Sequence, residues 1–204
     1  MKYFCYQVGI ELKNQLTSLR KEFFRKTIHI CTAFVPLFLH LAKVPTIVAL
    51  SLLLISYIIA ESLRFNGHDI PLVSDITAAA ARKRDENKFV LGPVTLVFGI
   101  ICAALLWNED ASAVGIFALA FGDGLASLAG KTFGKIRVPL THGKTVEGSL
   151  TCFAAIFTST FFVTNNCNTS LLVATAGALI EVLPLKDLDN LIIPISLGGI
   201  VTFF

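Results

Sequence analysis

The sequence predicts an all-α, polytopic transmembrane bundle of about seven helices, preceded by an amphipathic N-terminal segment. Of the 204 residues, 54% are hydrophobic and 15% are charged, whereas about 25% are charged in an average soluble domain. Too few polar side chains are left to cover a water-exposed surface. The apolar residues also gather in windows close to membrane-spanning length, and the basic residues fall on one side of those windows. Together these observations indicate an integral membrane protein.

The first element is a mixed, charged segment over residues 1–27. Apolar and basic residues alternate in it, which is typical of a segment that lies at the membrane interface. No small-residue cleavage site separates it from the apolar window that follows, so we expect it to stay in the mature protein. The predicted organisation is therefore an interfacial segment over 1–27 and a transmembrane catalytic domain over 28–204.

Seven apolar windows follow this segment and account for the predicted helices. A helix needs about 20 apolar residues to span a bilayer, and about 17 suffice when flanking groups reach the interface. Two of the windows are short enough to be tilted or re-entrant, so the count carries a margin of one. The windows are 28–42, 44–60, 90–107, 111–129, 149–164, 170–182 and 191–204.

The basic residues predict the orientation of the bundle. With these seven spans, Lys43 is the single one of the 17 Lys and Arg residues that falls on the second face. The positive-inside rule therefore places the N-terminus and the even-numbered loops in the cytoplasm. We expect a multi-pass protein of the bacterial inner membrane or the endoplasmic reticulum, with its active site on the cytoplasmic side.

An acidic residue interrupts the fourth window, where Asp123 stands between Gly122 and Gly124. A carboxylate deep in the bilayer costs about 2.5–3.5 kcal/mol on insertion scales, and each glycine costs roughly 1 kcal/mol of helix propensity. Glycines allow the backbone or a ligand to approach closely, and carboxylates bind hard cations. A cation site at Asp123, for Mg²⁺ or another divalent ion, is therefore predicted. The alternative is a hydrated carboxylate at a helix end.

A glycine-rich basic loop follows, with Lys131, Lys135 and Lys144 ahead of the fifth window. Glycine-rich backbone and lysine ammoniums next to a helix N-terminus form a site for phosphate. Glu147, set among these groups, is typical of a metal-bridged triphosphate site. A plain positive-inside loop is the alternative. The loop lacks the first glycine of a Walker A motif, so nucleotide binding would use another architecture.

Further polar residues map to the same predicted side of the membrane. We expect them to share one pocket with Asp123 and the basic loop. Asp189 opens the last helix, either as an N-cap or as a second metal ligand. These residues are Arg25, Lys26 and His29 before the first span, Glu61 and Arg64 at the end of the second, and Glu181, Asp189 and Asn190 before the seventh.

With these motifs the chain resembles the CTP-dependent lipid kinases, a family that includes dolichol kinase, phytol kinase and the yeast-type diacylglycerol kinase. Phosphatidate cytidylyltransferases are similar in the middle stretch, but their long C-terminal signature has no counterpart here. The resemblance rests on Arg25 to His29, Glu61 with Arg64, Gly92-Pro93, the stretch from Gly122 to Lys135, Lys144 to Ser149, and Glu181 through Asn190.

The resemblance implies transfer of the terminal phosphate of CTP to a membrane lipid alcohol such as a polyprenol, phytol or diacylglycerol, with Mg²⁺ or another divalent cation. A phosphatidate cytidylyltransferase and a small-solute transporter are the alternatives. The implied partners are CTP, the alcohol and the bilayer; no nucleic acid is expected, and the oligomeric state stays open.

The implied roles fall into four groups. Lys131 and Lys144, assisted by Arg25 and Lys26, hold the phosphates, and Gly122, Gly124, Lys135, Thr145 and Gly148 also bind the nucleotide or its phosphates. Asp123 and Glu147 bind the metal. Asp189 or Glu61 is the base, and the supporting residues are His29, Glu61, Arg64, Glu181 and Asn190.

Overall fold

A computed structural model describes residues 17, 19–68, 77, 88–139, 141 and 143–204. Within them the secondary structure is helical, apart from one isolated antiparallel bridge between Arg137 and Thr145. The helices are α1 (19–31), α2 (Val35–Leu41), α3 (Lys43–Phe65), α4 (Gly92–Leu106), α5 (Glu109–Phe117), α6 (Gly124–Thr132), α7 (Val146–Thr164), α8 (Cys167–Val182) and α9 (Asp189–Phe203).

The predicted helical membrane bundle is confirmed, because each of the seven apolar windows coincides with a helix or a run of helices. A 3₁₀ turn, Thr32–Phe34, joins α1 to α2, and a π-helical turn, Ala118–Asp123, joins α5 to α6. Three described helices are long and apolar enough to cross a membrane. They are Lys43–Phe65, Glu109–Thr132 (α5, the π turn and α6 together) and Val146–Thr164.

Polar side chains define where several helices begin. The Asn108 side chain accepts a hydrogen bond from the Ala111 backbone at 2.9 Å and so caps α5. Thr145 caps α7 by accepting from Gly148, and Asn166 caps α8. These caps satisfy N–H groups that have no partner within the first turn of a helix.

Glycines allow the central helices to approach closely. A Cβ added at Gly99 would lie 2.3 Å from the Asn190 carbonyl oxygen, and one at Gly115 would lie 2.2 Å from that of Pro194. Small residues are the usual means by which membrane helices pack, because lipid offers no hydrophobic drive between them. α9 therefore lies directly against α4 and α5.

Helix α1 turns its polar face toward the protein and its apolar face outward. Lys26 and His29 are buried, whereas Phe23 and Ile28 are exposed. The described part of the predicted amphipathic segment packs its charged face against the bundle. Its position at the membrane interface stays a prediction. In a lipid environment this arrangement places apolar side chains against lipid and pairs the charges inside.

The site-bearing ends of the helices meet at one end of the bundle. The end of α3 contacts the approach to α4, since the Val90 backbone donates to Glu61 at 2.9 Å. The end of α8 contacts the start of α7 through Glu181 and Lys144, which are 2.8 Å apart. These contacts agree with the prediction that the even-numbered loops lie on the same side of the bundle. That this side is cytoplasmic stays a prediction.

Candidate functional site

A polar cavity of about 650 Å³ lies at this end of the bundle. Its walls are formed by α1, α6, the start of α7, the segment 183–188 and the start of α9. Most of the residues singled out from the sequence line it. They are Arg25, Lys26, Asp123, Lys131, Lys144, Thr145, Gly148, Glu181 and Asp189.

Asp123 is neutralised by a lysine from the N-terminal helix. Its side chain is buried at the last position of the π turn, and such turns are frequent at functional sites. The Lys26 ammonium donates to Asp123 Oδ2 at 2.5 Å. His29 Nδ1 lies 3.3 Å from the same oxygen but is not aligned for a hydrogen bond. Lys26 thus offsets the cost of burying the carboxylate.

Lys144 is held at the other side of the cavity by α8. Its ammonium donates to Glu181 Oε1 at 2.8 Å and also to the Glu181 backbone carbonyl. The Ser149 hydroxyl donates to the second oxygen of Glu181 at 3.1 Å. Because these three hydrogen bonds fix Lys144 and Glu181, the ammonium has a defined position in the cavity wall.

Glu22 joins three polar side chains at the cavity wall and was not identified from the sequence. It accepts from Arg25 at 2.5 Å, from Ser127 at 2.7 Å and lies 3.0 Å from Lys131. Burial raises the pKa of Glu22, but Arg25, Lys26 and Lys131 outweigh it and lower the pKa to about 2. The missed signal was helical spacing, since Glu22 lies four residues before Lys26 on one face.

Arg25 keeps unused hydrogen-bonding capacity inside the cavity. Its Nε is buried and has no hydrogen-bond partner among the described residues, while its NH2 group binds Glu22. A buried guanidinium nitrogen without a partner is costly. An anion in the cavity would supply the missing acceptor.

Two residues with positive φ line the cavity, one in the segment after α8 and one in the loop before α7. Lys186 lines the cavity with a positive φ of 60°, a left-handed conformation that a non-glycine residue seldom adopts. Gly143, in the loop before α7, also lines the cavity, with φ of 100°. Backbone in such conformations concentrates at functional sites; Lys186 was assigned only as a loop charge.

Glu147 and Lys135 are not brought into the cavity. The Glu147 carboxylate accepts from the backbone N–H groups of Lys135 at 2.9 Å and Ile136 at 3.2 Å. These bonds tie the loop back onto the first turn of α7. Glu147 therefore closes the loop and does not line the cavity that contains Asp123, with which it was predicted to share a metal.

Gly122 and Gly124 serve helix packing, and neither lines the cavity. A Cβ at Gly122 would lie 2.7 Å from the Ile156 side chain, and one at Gly124 would lie 3.1 Å from that of Ile30. They let α7 and α1 approach the π turn on its two sides. Their contribution to the site is to bring Lys26 of α1 within reach of Asp123.

Glu61 and Arg64 form a separate polar cluster beside the site. Glu61 is fully buried, and Arg64 donates to both of its oxygens at 2.7 Å. The Val90 backbone adds a third bond at 2.9 Å, and Thr77 lies 3.5 Å away. Both carboxylate oxygens of Glu61 are thus occupied, which rules against the predicted alternative that Glu61 is the base.

His29 and Asn190 line a smaller, mainly apolar cavity of about 190 Å³ next to the large one. The Asn190 amide donates to Thr95 Oγ1 at 3.0 Å and to the Gly92 carbonyl at 3.3 Å. These bonds join the start of α9 to the start of α4 and so support Asp189, the neighbour of Asn190.

Comparison with known proteins places the chain among its relatives. No protein-family model and no solved structure matches it. Phytol kinase 1, chloroplastic, of Arabidopsis thaliana is 26% identical over 151 residues, 64% of this chain and 49% of that protein. A probable phytol kinase of Triticum aestivum is 27% identical, over 63% of this chain and 47% of the relative. The chain thus spans about half the length of these plant kinases.

An archaeal relative matches along nearly the whole length of both proteins. An uncharacterized protein of Methanocaldococcus jannaschii is 30% identical over 192 residues, 89% of this chain and 93% of the relative. The chain belongs to the same family as this archaeal protein and shows weaker similarity to the plant phytol kinases.

Proposed function

We propose that this protein is a CTP-dependent kinase that phosphorylates a membrane lipid alcohol at the cytoplasmic face. The observation that carries the proposal is the polar cavity, in which Lys26, Lys131 and Lys144 meet the buried carboxylate of Asp123 at one end of a membrane bundle. The similarity to proteins named phytol kinases supports the same reaction class.

The basic side chains of the cavity would hold the phosphates. Lys131 is paired with Glu22 and Lys144 with Glu181, so each ammonium is positioned before the nucleotide arrives. Arg25, with its unpartnered Nε, adds a guanidinium that suits phosphate geometry. Phosphoryl transfer depends mainly on such positioning and on neutralising the charge of the transferred group.

A divalent cation fits the charge balance of the cavity. Its basic side chains outnumber its acidic ones by one, so a bound triphosphate would leave it strongly negative. Among the described residues, no group of three or more His, Cys, Asp or Glu is arranged to hold a metal by itself. Mg²⁺ commonly binds through one or two carboxylates together with substrate phosphates. We assign Asp123, and not Glu147, as the protein ligand that would complete such a site.

The reaction joins the alcohol oxygen to the terminal phosphorus of CTP. The bond between that phosphorus and the bridging oxygen breaks, and CDP leaves with the electron pair. The hydroxyl proton passes to a carboxylate, for which we propose Asp189 because it lines both cavities. Mg²⁺, when bound, would offset negative charge on the phosphates.

The position of the cavity distinguishes this function from transport. A transporter binds its substrate near the midplane, between two related halves. Here the polar groups gather at one end, where α6 and α8 finish and α7 and α9 begin. The arrangement therefore favours an interfacial enzyme.

The test is transfer from CTP carrying label in either the terminal or the α phosphate. Purified protein in detergent should move terminal label, and not α label, into a long-chain alcohol, and chelation of divalent cations should stop the transfer. Label transferred from the α phosphate to phosphatidate would identify a cytidylyltransferase. Absence of transfer from either position to any alcohol or phosphatidate would overturn the proposal.

Matched variants assign the activity to the cavity. Asp123→Asn and Lys144→Ala should each lower kcat by about a hundredfold or more, the loss usual for groups that stabilise transition-state charge. Asp110→Asn, at the far end of the same helical run as Asp123, and Arg137→Ala, on the loop of Lys144, are both exposed and should leave transfer unchanged. Full activity of Asp123→Asn or Lys144→Ala would contradict the site.

A further inference from the structure

The smaller cavity has one apolar body and one charged end. Leu53 and Tyr57 of α3 face Leu96 and Val97 of α4 across its body. Residues of α1, α3, α4 and the start of α9 line its volume of about 190 Å³. Such a lining disfavours a charged or strongly hydrated occupant and favours a hydrocarbon group.

The charged end is shared with the larger cavity. Arg25, Lys26, Asp123 and Asp189 line both. An occupant whose hydrocarbon fills the apolar body would therefore present its polar end where the phosphates of a nucleotide would lie in the larger cavity. The two cavities together have the form required for a two-substrate transfer, with the reacting atoms at their junction.

The apolar body opens to the surroundings between α1 and α3. Leu53 is 56% exposed and Ile28 is 36% exposed, although both line the cavity. In a membrane bundle such exposed apolar side chains face lipid. A chain longer than the cavity can therefore continue outward into the bilayer.

The volume limits what the cavity can select. A cavity of roughly 150 Å³ accommodates benzene, so one of 190 Å³ accepts about one short branched unit next to the hydroxyl. The remainder of the hydrocarbon chain lies outside the cavity, so its length does not affect binding there. Two ester-linked chains beside a single hydroxyl would exceed this space.

Gly92 lies at the rim of this cavity where there is room for a side chain. A Cβ added there would have its nearest heavy atom, Asp187 Oδ1, at 4.0 Å, which is ordinary contact distance. The glycine is therefore not required by packing, unlike Gly99 on the same helix. Any larger side chain at position 92 would take up cavity volume.

We propose that the smaller cavity is the acceptor subsite, that it holds the first segment of the alcohol with the hydroxyl at Asp189, and that Gly92 sets its size. This inference rests on the proposed kinase function. It means that acceptors are discriminated by the bulk near the hydroxyl and not by total chain length.

The experiment measures kinetics of Gly92→Ala and Gly92→Leu with CTP and a branched long-chain primary alcohol in detergent micelles. Gly92→Leu should raise KM for the alcohol about ten- to hundredfold, the range for steric mismatch in an apolar pocket, with Gly92→Ala between it and the wild type. KM for CTP should change less than about twofold. Ala154→Leu, in a separate apolar groove lined by Phe121 and Phe162, is the matched control and should leave both constants unchanged.

Photo-crosslinking tests the subsite without turnover. A long-chain alcohol with a diazirine beside the hydroxyl carbon should label peptides of α3 and α4 in the wild-type protein, and Gly92→Leu should reduce that labelling. Labelling of the α7 groove instead, or an unchanged KM for the alcohol in Gly92→Leu, would overturn the inference. Failure of the kinase proposal would look different, because the wild-type protein would then label in α3 and α4 but transfer no phosphate.

Discussion

Lys26 and Asp123 form a buried ion pair that joins α1 to the centre of the bundle, with 3% and 8% of their side chains exposed. Removing one partner of such a pair leaves an uncompensated buried charge and costs about 3–5 kcal/mol, whereas removing both is often nearly neutral. Lys26→Met should therefore destabilise the protein, and Lys26→Met with Asp123→Asn should recover much of the loss. Thermal unfolding in detergent measures both.

The double variant also separates stability from activity. It should remain inactive in phosphate transfer even though it is folded, because the proposed metal ligand and a phosphate-binding amine are gone. If the double variant is no more stable than Lys26→Met alone, the two side chains do not pair as the structure places them.

Glu22 predicts a pH dependence of stability. Its pKa in the folded protein, about 2, lies below the ordinary value of 4.5, so its charge stabilises the fold above about pH 4.5. That contribution, on the order of 3 kcal/mol, is lost as the pH falls from about 4.5 toward 2. The stability difference between wild type and Glu22→Gln should thus be largest at neutral pH and shrink on acidification. A difference that does not vary with pH would show that Glu22 is not held by Arg25 and Lys131.

The residues at the site were only partly predictable. Asp123 and Lys144 stood out because a carboxylate in an apolar window and a glycine-flanked lysine are chemically conspicuous. Glu22 did not stand out, because its helical spacing to Arg25 and Lys26 was a weak signal and its other partners, Ser127 and Lys131, are more than a hundred residues away. Spacing along the chain does not reveal that backbone N–H groups of its own loop donate to the Glu147 carboxylate, which was predicted to bind a metal.

At the scale of helices, close contacts of glycines decide how α9 is seated. Gly115→Ala would bring a methyl group to 2.2 Å from the Pro194 carbonyl oxygen, a backbone atom that cannot rotate away. Overpacking of this kind costs about 1–3 kcal/mol or more. Gly115→Ala should therefore lower the unfolding temperature in detergent, whereas Gly92→Ala, with open space around its Cβ, should not. Equal stability of the two variants would contradict the close α5–α9 approach.

Helix existence was predictable from composition, but helix rotation was not. The α3 window, 44–60 in the prediction, appears as Lys43–Phe65, because Glu61 and Arg64 extend the helix by pairing with each other. Which face of α1 turns toward the bundle could not be predicted, for a different reason. An amphipathic pattern states that a helix has two faces, and the partner at Asp123 decides which face turns inward.

The two ends of the bundle are expected to lie on opposite faces of the membrane, which cysteine labelling can measure. Cys167 begins α8 at the end opposite the cavity and is exposed, while exposed Arg137 lies on the loop at the cavity end. A membrane-impermeant maleimide added to intact cells should label a variant that keeps Cys167 alone. It should label a single-cysteine Arg137→Cys variant only after lysis. Labelling of both in intact cells would contradict the predicted topology.

The link between Lys26 and Asp123 also has a consequence for biogenesis. The two residues are 97 positions apart, and α1 leaves the ribosome long before the helix that carries Asp123. Inserting that later helix into the membrane alone would cost about 2.5–3.5 kcal/mol because of its carboxylate. The Lys26 amine that pairs with this carboxylate has been synthesised before it. The order of synthesis therefore allows the N-terminal helix α1 to assist the membrane insertion of the helix that carries Asp123.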